Sequence, residues 1–492
     1  MKKIAEEHPD FKSFEATLFE IMCRIACELI QQYLDWRDFT IMALRNTRRY
    51  RIIDKERETT IKTIFGEVRY SRRYYHDNEL GRYVFLLDES MGIYNGFGLV
   101  SENLALQIVN ECADKSFRKA ACSISSNTGQ VISAMGAWNV VQRYGEAIEA
   151  QEARLMELDE SGSVGHLGGV RSSVLFEEND DVWINRQREK RRKPGTAAKG
   201  AGKIGKKLGK LPMHVGIAYI GWTQSKDGRY NTANKIAYAS FGKPAAFRAK
   251  FGTLLNQRFD MDGVQRRITN GDGESWIRTA AEENDSILQL DPFHRSQAIV
   301  KAVSDKGERG FLFDAVSNKD VDGVLAAICE MAMDTQDESA QKKLTKLYGY
   351  FYSNRDSFLT WQERGIELPP PPEGVSYREM GIQESSNCLI TQRMKHRRGS
   401  WSNIGANNMA RILCFRGTIG LDAIMGSLPE PEPVEAFAEP LSAAQAPQYD
   451  GNGYGADWLY APMPFDNAFK THGREAIRGI LRMKPVSDLS FI

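Results

Sequence analysis

The chain has 492 residues, of which 42% are hydrophobic and 26% charged, and its formal net charge is +1. This length exceeds that of one ordinary hydrophobic core, so we expect two or more domains, and the composition is typical of a soluble globular protein. The near-zero net charge argues neither for nor against a nucleic-acid partner, because that depends on where charge clusters.

The cysteine spacing and the hydropathy of the chain indicate the compartment in which the protein is expected. The seven cysteines include no CxxC pair, which argues against a disulfide framework and against a zinc site. The first residues, MKKIAEEHPDF, lack the apolar stretch of a signal peptide, and no run of about 18 apolar residues occurs. We therefore expect a reducing, aqueous compartment, most simply a cytoplasm, and no membrane partner.

The first elements are a long helix and a β-hairpin. Apolar residues recur at helical spacing from Phe11 to Arg45. The segment TTIKTIFGEVRYSRRYY then alternates with period two on both sides of Gly66, which predicts a hairpin. Basic and aromatic residues interleave on its second strand, which suits a phosphate-facing surface, and a solvated sheet face is the alternative. The basic residues are Arg69, Arg72 and Arg73.

Three helices follow the hairpin. SENLALQIVNECAD begins with Ser101 as an N-cap, SFRKAACSI is a second short helix, and a turn containing Gly129 leads into a long third helix. A short helix, a tight turn and a longer helix form the layout of a helix-turn-helix, although many helical domains contain such a corner.

From Ser173 the pattern alternates between strands and helices. SSVLFEEND, DVWINRQ, MHVGIAYIGW and NKIAYASF are predicted strands, followed by the helix PAAFRAKFGTLLNQRF. VQRRITN and SILQL are later strands, and a helix follows each of them. An early meander followed by βα crossovers predicts an α/β fold with a mixed sheet covered by helices, preceded by an α+β N-terminal region.

A basic segment from Arg186 to Lys210 interrupts the strands, with Glu189 as its only acid. It shows no apolar period, which predicts a mobile loop. Its clustered charge favours a polyanion partner, and a solvated charge run is the alternative. The candidate contacts in this segment are Arg188, Lys190, Arg191, Arg192, Lys206 and Lys207.

Acidic residues follow two predicted strands. Asp180 and Asp181 close one strand, and Asp272 follows VQRRITN. If these strands lie side by side and parallel, their carboxyl ends share one edge of the sheet and can hold Mg²⁺. Glu384 begins a later helix that offers a third acid, so that a site for two ions is possible. The basic residues that follow it are Arg393, Lys395, Arg397 and Arg398.

Structural roles are open for the same residues. Gly-Asp-Gly is a turn signature, so a structural role for Asp272, in a turn or as a helix cap, fits the sequence as well as a metal site does. Asp291 before Pro292 favours an N-cap, and His294 fits an ordinary first-turn histidine.

Five motifs in order resemble the transposases of the Lre-type insertion sequences, relatives of the Mutator-like bacterial DDE transposases. The motifs, between Thr59 and Arg416, are TIFGEVRYSRRYY, EENDDVWINRQ, NGDGESWI, LDPFH and QESSNCLITQRMKHRRGSWSNIGANNMA. The resemblance implies an RNase H-like catalytic core with a helical insertion before the final acid. It also implies a catalytic, metal-holding triad of Asp180, Asp272 and Glu384, supported by Asp291 and His294. Asp181 stands where the family has a glycine or small residue, so it is the alternative first ligand.

The activity implied by this resemblance is transposition of DNA. Two Mg²⁺ ions, or Mn²⁺ in their place, activate a water and then the freed 3′-hydroxyl for attack on phosphodiesters. The implied partners are the terminal inverted repeats, target DNA and further copies of the chain, in a bacterial, nucleoid-associated setting. A recognition helix near residues 131–143 reads bases.

Two alternative functions remain open. One is a nuclease that cuts without joining strands, and the other is a non-catalytic DNA-binding protein.

The expected organisation has six parts. They are the N-terminal helix and hairpin (1–98), the helix-turn-helix-like region (99–160), the RNase H-like core (165–303), the helical insertion (304–378), the C-terminal catalytic helices (379–426) and a Pro-rich linker and tail (427–492).

Overall fold

The computed structural model describes residues 10–93, 99–161, 169–187, 209–397, 399–418 and 420–421. Most of the predicted basic loop and the whole of the predicted Pro-rich tail lie outside these residues, as does Arg398. The described residues form two compact units, one up to Val140 and the other from Val141 onwards.

The first unit contains a long helix, a three-stranded antiparallel sheet and shorter helices. Helix α1 begins at Asp10, whose carboxylate accepts the N–H of Ser13. The elements in chain order are α1 (Phe11–Leu44), β1 (Tyr50–Thr63), β2 (Gly66–Asp77), β3 (Arg82–Val84), α2 (Leu86–Met91), α3 (Glu102–Asp114) and α4 (Phe117–Asn127). Helix α5 (Ala134–Glu160) begins in this unit and continues into the second.

The predicted hairpin is present and turns at Gly66. Thr63 pairs with Gly66 across the turn, and the φ of Gly66 is +143°, which side-chain-bearing residues rarely adopt. The hairpin packs against α1 through a core that includes Leu34, Ile41 and Tyr75. Alternation in the sequence thus identified both strands and the turn between them.

Two of the helices after the hairpin begin at a serine cap, and the first of these caps, Ser101, was predicted. Ser101 accepts the N–H of Leu104 at the start of α3, and Ser116 accepts the N–H of Lys119 at the start of α4. The turn at Gly129 separates α4 from α5. The predicted order of two short helices, a turn and a long helix is confirmed.

The arginines predicted to face phosphate on β2 have different surroundings. Arg72 is buried and forms an ion pair with Asp88, and Arg73 forms one with Asp38. The Arg69 side chain is 84% exposed. We therefore correct the prediction for Arg72, whose buried acid partner comes from another element and is not visible in the strand pattern. Arg73 is partly exposed beside Asp38, and its contact with DNA stays a prediction.

The second unit is built on a five-stranded mixed sheet, as predicted. The strands are β4 (Val174–Asn185), β5 (Lys210–Tyr219), β8 (Ile236–Ser240), β9 (Arg266–Gly271) and β10 (Ile287–Leu290). Their order in the sheet is β10-β9-β4-β5-β8, in which β4, β5 and β8 are antiparallel and β9 and β10 run parallel to β4. A separate ribbon pairs β6 (Trp222–Gln224) with β7 (Tyr230–Thr232).

Strand β4 corrects the prediction of two short strands around Asn179, Asp180 and Asp181. It is one continuous strand, because β5 pairs with it along its length, including Asp180 with Val215 and Asp181 with His214. The ladder satisfies the main-chain polar groups of these turn-favouring residues, so the local preference is overridden. The parallel pairing with β9, in contrast, ends at Asn179.

Helices cover the sheet and extend beyond it. An aromatic cluster that includes Phe247, Phe251 and Trp276 packs on one part of the sheet, and Phe351 and Phe358 belong to a second core formed with later helices. The helices are α6 (Pro244–Arg258), α7 (Ser275–Glu283), α8 (Pro292–Ala302), α9 (Lys306–Ser317), α10 (Val321–Asp334), α11 (Glu338–Ser353), α12 (Gln383–Met394) and α13 (Asn403–Thr418), with 3₁₀ turns at Met261–Gly263 and Arg355–Ser357. In none of the described helices does an apolar stretch reach the length needed to cross a bilayer.

Candidate metal centre

Two aspartates come together where the parallel pairing of β4 with β9 ends, in the middle of β4 and at the carboxyl end of β9. The two strands are parallel, and their last paired residues are Asn179 and Gly271. Asp180 and Asp272 follow these residues directly in the chain. The sheet therefore places both side chains at the edge where ligands bind in open α/β sheets.

Asp180 is almost fully buried at this edge. One of its carboxylate oxygens accepts the N–H of Asp181 at 2.8 Å, and the other accepts the side-chain amide of Asn387 at 2.6 Å. Burial raises the pKa of Asp180, and the nearby Glu384 raises it further, while His294 and the two hydrogen bonds lower it. A buried carboxylate beside a second acid is an environment that a cation stabilises.

His294 and Glu384 complete a close group with Asp180. One possible ligand atom from each of the three residues lies within 4.8 Å of the others. The His294 Nε2 atom is 3.9 Å from Asp180 Oδ1. Metal ions bind oxygen ligands at about 2.0 to 2.6 Å, so ligands that share an ion lie within roughly 5 Å of each other. The three side chains are close enough to share one ion, and Glu384 is exposed to solvent.

Asp272 lies beside this group and is also a turn residue. Its carboxylate accepts the N–H of Glu274 at 3.0 Å, and its main-chain oxygen accepts the Tyr350 hydroxyl at 2.6 Å. Burial raises the pKa of Asp272 to about 6, the charge of Asp180 also raises it, and the Glu274 N–H and His294 lower it. Asp272 is thus a turn residue, as the Gly-Asp-Gly signature indicates, and its carboxylate also interacts with the charge of Asp180.

Asp291 caps the helix that carries His294. One of its carboxylate oxygens accepts the N–H groups of Phe293 and His294, at 2.8 and 3.2 Å. The other accepts the Asn270 side-chain amide at 2.6 Å. The N-cap prediction at Asp291 is confirmed, and the cap fixes the first turn of α8, from which His294 reaches Asp180.

Asp181 belongs to the other face of the sheet. Its carboxylate is 2.6 Å from His214 Nδ1, and the His214 ring packs against Phe247 and Trp276. Because successive side chains of a strand point to opposite faces, Asp181 points away from the group around Asp180. Of the two alternatives for a first ligand, the geometry favours Asp180.

Two residues at the site were not identified from the sequence. Glu178 is fully buried two residues before Asp180, and Asn387 contacts Asp180 from α12. Burial raises the pKa of Glu178, against hydrogen bonds from Tyr219 and from the start of α12 that lower it. The period-two spacing of Glu178 and Asp180 was the available signal, because it places both carboxylates on one face of the strand.

The predicted basic contacts after Glu384 also differ in exposure. Arg393 is buried, and its guanidinium lies 4.9 Å from the centre of the Trp401 ring. Its prediction as a DNA contact is therefore corrected, because a helical repeat of basic residues does not reveal which of them turns inward. Lys395 and Arg397 are exposed.

Two solved structures were found to be similar to part of the chain. One is the Mos1 strand transfer complex, with 13% identity, coverage of 53% of this chain and 79% of that chain, and a TM-score of 0.12. The other is a pre-cleavage Mos1 transpososome, with 12% identity, coverage of 52% and 78%, and a TM-score of 0.12. TM-scores of this size support no conclusion about a shared fold or activity.

Several relatives match over most of their length. A UPF0236 protein of Caldanaerobacter subterraneus subsp. tengcongensis is 20% identical over 81% of this chain and 77% of its own. Another from the same organism, whose name joins eleven designations, is 20% identical over 81% and 76%. A UPF0236 protein of Streptococcus gallolyticus is 22% identical over 84% of both chains. The model of the uncharacterised protein family UPF0236 matches residues 4–424, which include every residue of the candidate metal centre. The chain therefore belongs to the UPF0236 family.

Proposed function

We propose that this protein is a DNA transposase that cleaves and joins strands with divalent metal ions held by Asp180, Asp272 and Glu384. The observation that carries this proposal is the close group of Asp180, Glu384 and His294 at the end of the parallel strand pair. These residues lie far apart in the sequence, and three different elements bring them together. Asp272 adds a third carboxylate, near enough to Asp180 for their charges to interact.

The sheet supports an RNase H-like core. Three antiparallel strands followed by two strands parallel to the first, with the first at the centre, match the core that the resemblance implies. Helices α9 to α11 fall between the last strand and the helix that carries Glu384, as expected of the helical insertion. We retain residues 165–303 as the proposed core, 304–378 as the insertion and 379–426 as the closing helices.

The donor set fits a divalent ion. Carboxylates are the ligands that Mg²⁺ and Mn²⁺ prefer, and Mg²⁺ is commonly held by one or two of them together with substrate phosphate. Asp180, Asp272 and Glu384 would hold the metal, and His294 adds an imidazole within the same group. When bound, two such ions supply an activated water or 3′-hydroxyl and stabilise negative charge on the leaving oxygen.

The chain's own residues keep these ligands in place. Asn387 orients the Asp180 carboxylate, Tyr350 anchors the main chain of Asp272, and Asp291 fixes the helix start that presents His294. Glu384 is exposed to solvent, so a substrate phosphate could approach it from outside. Asp180, Asp272 and the helix start that carries His294 are thus held by neighbours before any substrate arrives.

The distribution of relatives supports a mobile element. The name of one relative joins eleven designations from one organism. Repeated copies of a gene within a genome are what a transposing element leaves behind. We extend this interpretation to the present chain as part of the proposal.

Strand cleavage and strand joining should be measured on duplexes made from the DNA that flanks this gene, in the presence of Mg²⁺. Asp180→Asn and Glu384→Gln remove one proposed ligand charge each. We expect both variants to lose about 1000-fold in cleavage rate while still binding DNA, since metal stabilisation of the transition state contributes several kcal/mol.

Asp181→Asn is the matched control, because Asp181 is the adjacent aspartate on the other face of the sheet. It should retain cleavage at close to the wild-type rate. Cleavage without joining in the wild type would identify a nuclease instead. DNA binding without cleavage in any metal would identify a non-catalytic DNA-binding protein and overturn the proposal.

A further inference from the structure

A buried glutamate lies directly beneath the metal centre. Glu178 is in β4, two residues before Asp180 and on the same face of the strand, and its side chain is wholly removed from solvent. A carboxylate is rarely buried completely unless several donors surround it. The identity of those donors indicates what Glu178 does.

Three of the donors are main-chain N–H groups at the start of α12. The carboxylate of Glu178 accepts the N–H groups of Gly381 at 3.1 Å, Ile382 at 3.2 Å and Gln383 at 3.1 Å. The N-cap position of α12 is Ile382, whose side chain makes no capping hydrogen bond. The first N–H groups of a helix have no partner within the helix, and a carboxylate there is favourable. Glu178 therefore caps α12 from a different element.

The Tyr219 hydroxyl in β5 also donates to Glu178, at 2.5 Å, and a further donor connects Glu178 to the start of α8. The side-chain amide of Asn270 in β9 donates to Glu178 at 3.2 Å and to Asp291 at 2.6 Å. Gln289 in β10 donates to the Asn270 side-chain oxygen at 3.0 Å. Asp291 in turn caps the helix that carries His294. One buried network across three neighbouring strands thus joins the starts of both helices that contribute to the metal centre.

We propose that Glu178 is a positioning residue for the metal centre: it fixes the first turn of α12, and with it Glu384 and Asn387, at a set distance from Asp180. The proposal rests on the proposed metal-dependent function. Glu178 itself would touch neither metal nor substrate.

The advantage of a cap from β4 lies in the strand geometry. Residues two apart in a strand are about 6.6 Å apart. One short stretch of backbone therefore supplies a ligand, Asp180, and also fixes the helix that supplies a second ligand. A Ser or Asp at the usual N-cap position would accept N–H groups one turn further into the helix and would not attach the helix to the strand.

Glu178→Gln tests this role in the full-length protein, and Glu177→Gln is its matched control. Glu177 is the adjacent residue, is also buried, and pairs with Arg267 at 2.7 Å on the other face. Hydrogen exchange of the peptide that contains Gly381 to Gln383 reports the cap. Loss of the free-ion paramagnetic resonance signal on titration with Mn²⁺ reports metal binding without any need for activity.

We expect Glu178→Gln to speed exchange at the start of α12 and to weaken Mn²⁺ binding about 10- to 100-fold, as is usual when a residue that orients a metal ligand is replaced. Glu177→Gln should do neither, even if it lowers the melting temperature equally. Glu178→Asp keeps the charge on a shorter side chain. It should give an intermediate weakening, and it serves as the test if Glu178→Gln does not fold.

Two results would overturn the proposal and are distinguishable. If the wild type binds Mn²⁺ and both Glu178 variants bind it equally well, Glu178 has no positioning role although the metal centre stands. If the wild type binds neither Mn²⁺ nor Mg²⁺, the metal centre itself is wrong and this inference falls with it.

Discussion

Asp180 and Asp181 are neighbours in β4 with opposite surroundings. Asp180 faces His294 and the amide of Asn387, whereas Asp181 pairs with His214 beneath an aromatic cluster. The alternation of side chains along a strand separates the two charges by the thickness of the sheet. Asp180 can therefore serve a metal while Asp181 stabilises the interior.

Asp272 should make the stability of the metal-free protein depend on pH. Its pKa is about 6 in the folded protein, compared with an ordinary value of 3.8. Between about pH 4 and 6 the folded state therefore keeps a proton on Asp272 that the unfolded state releases. The contribution of Asp272 to the free energy of unfolding is full below about pH 4 and is lost as the pH rises through 6. We expect a loss on the order of 2 to 3 kcal/mol, measured by urea unfolding between pH 4 and 7.

The control for this titration is Asp272→Asn, which has no proton to lose. Other carboxylates titrate in the same range, so the informative quantity is the difference between the two pH profiles. The wild type should lose stability relative to the variant as pH rises. Parallel profiles would contradict the burial of this carboxyl group.

At the level of elements, the turn between β9 and α7 depends on a glycine. Gly273 has a φ of +87°, and a Cβ atom there would lie 2.7 Å from the side chain of Asn354. Gly273→Ala should therefore cost about 1 to 3 kcal/mol in unfolding free energy and displace Asp272. Thermal or urea unfolding measures the change.

Gly252→Ala is the matched control for that prediction. Gly252 lies inside α6, and a Cβ atom there meets nothing within 4 Å. Alanine is the better helix former, so this variant should be neutral or more stable by about 0.5 to 1 kcal/mol. Equal effects at both glycines would show that the turn tolerates a side chain.

The elements that could be predicted from the sequence are those whose signals are local. The hairpin at Gly66, the helix start at Ser101 and the cap at Asp291 depend on neighbouring residues, and the structure has all three. Contacts between residues from distant segments of the chain could not be predicted from local sequence patterns. The pairing of Arg72 with Asp88 and the capping of α12 by Glu178 arise only when separate elements pack together.

The reliance on local sequence signals also explains which residues of the candidate metal centre could be predicted. Parallel neighbouring strands placed Asp180 and Asp272 at one edge, as the strand order indicated. Glu384 was identified through a resemblance, because an acid in the first turn of a helix has no distinctive local pattern. His294 was expected only to support the site, yet it offers a possible ligand atom within 4.8 Å of those of Asp180 and Glu384.

At the scale of the whole molecule, the proposed binding of DNA can be tested through salt. Replacing Lys206 and Lys207 with glutamine removes two of the basic charges in the predicted loop. Each lysine that no longer neutralises a phosphate should reduce the slope of log affinity against log salt by about 0.9. We expect a slope smaller by about 1 to 2 in a fluorescence-anisotropy titration with duplex DNA.

Lys342 and Lys343 provide the matched pair for this experiment. They are likewise adjacent lysines, and both are exposed on α11. Their replacement with glutamine should leave the salt slope unchanged. A slope that falls equally for both pairs would show that the basic segment has no special part in DNA binding.

The order of the site residues along the chain has a consequence during translation. Asp180 and Asn387, which touch in the folded protein, are 207 residues apart. At bacterial rates of about 5 to 20 residues per second, the ribosome needs roughly 10 to 40 seconds to make that interval. For nearly all of this time the nascent polypeptide includes the proposed helix-turn-helix-like region but not Glu384. A chain released before Glu384 would therefore carry an incomplete set of the proposed ligands, and under the proposed function synthesis itself would delay strand cleavage until Glu384 has been made.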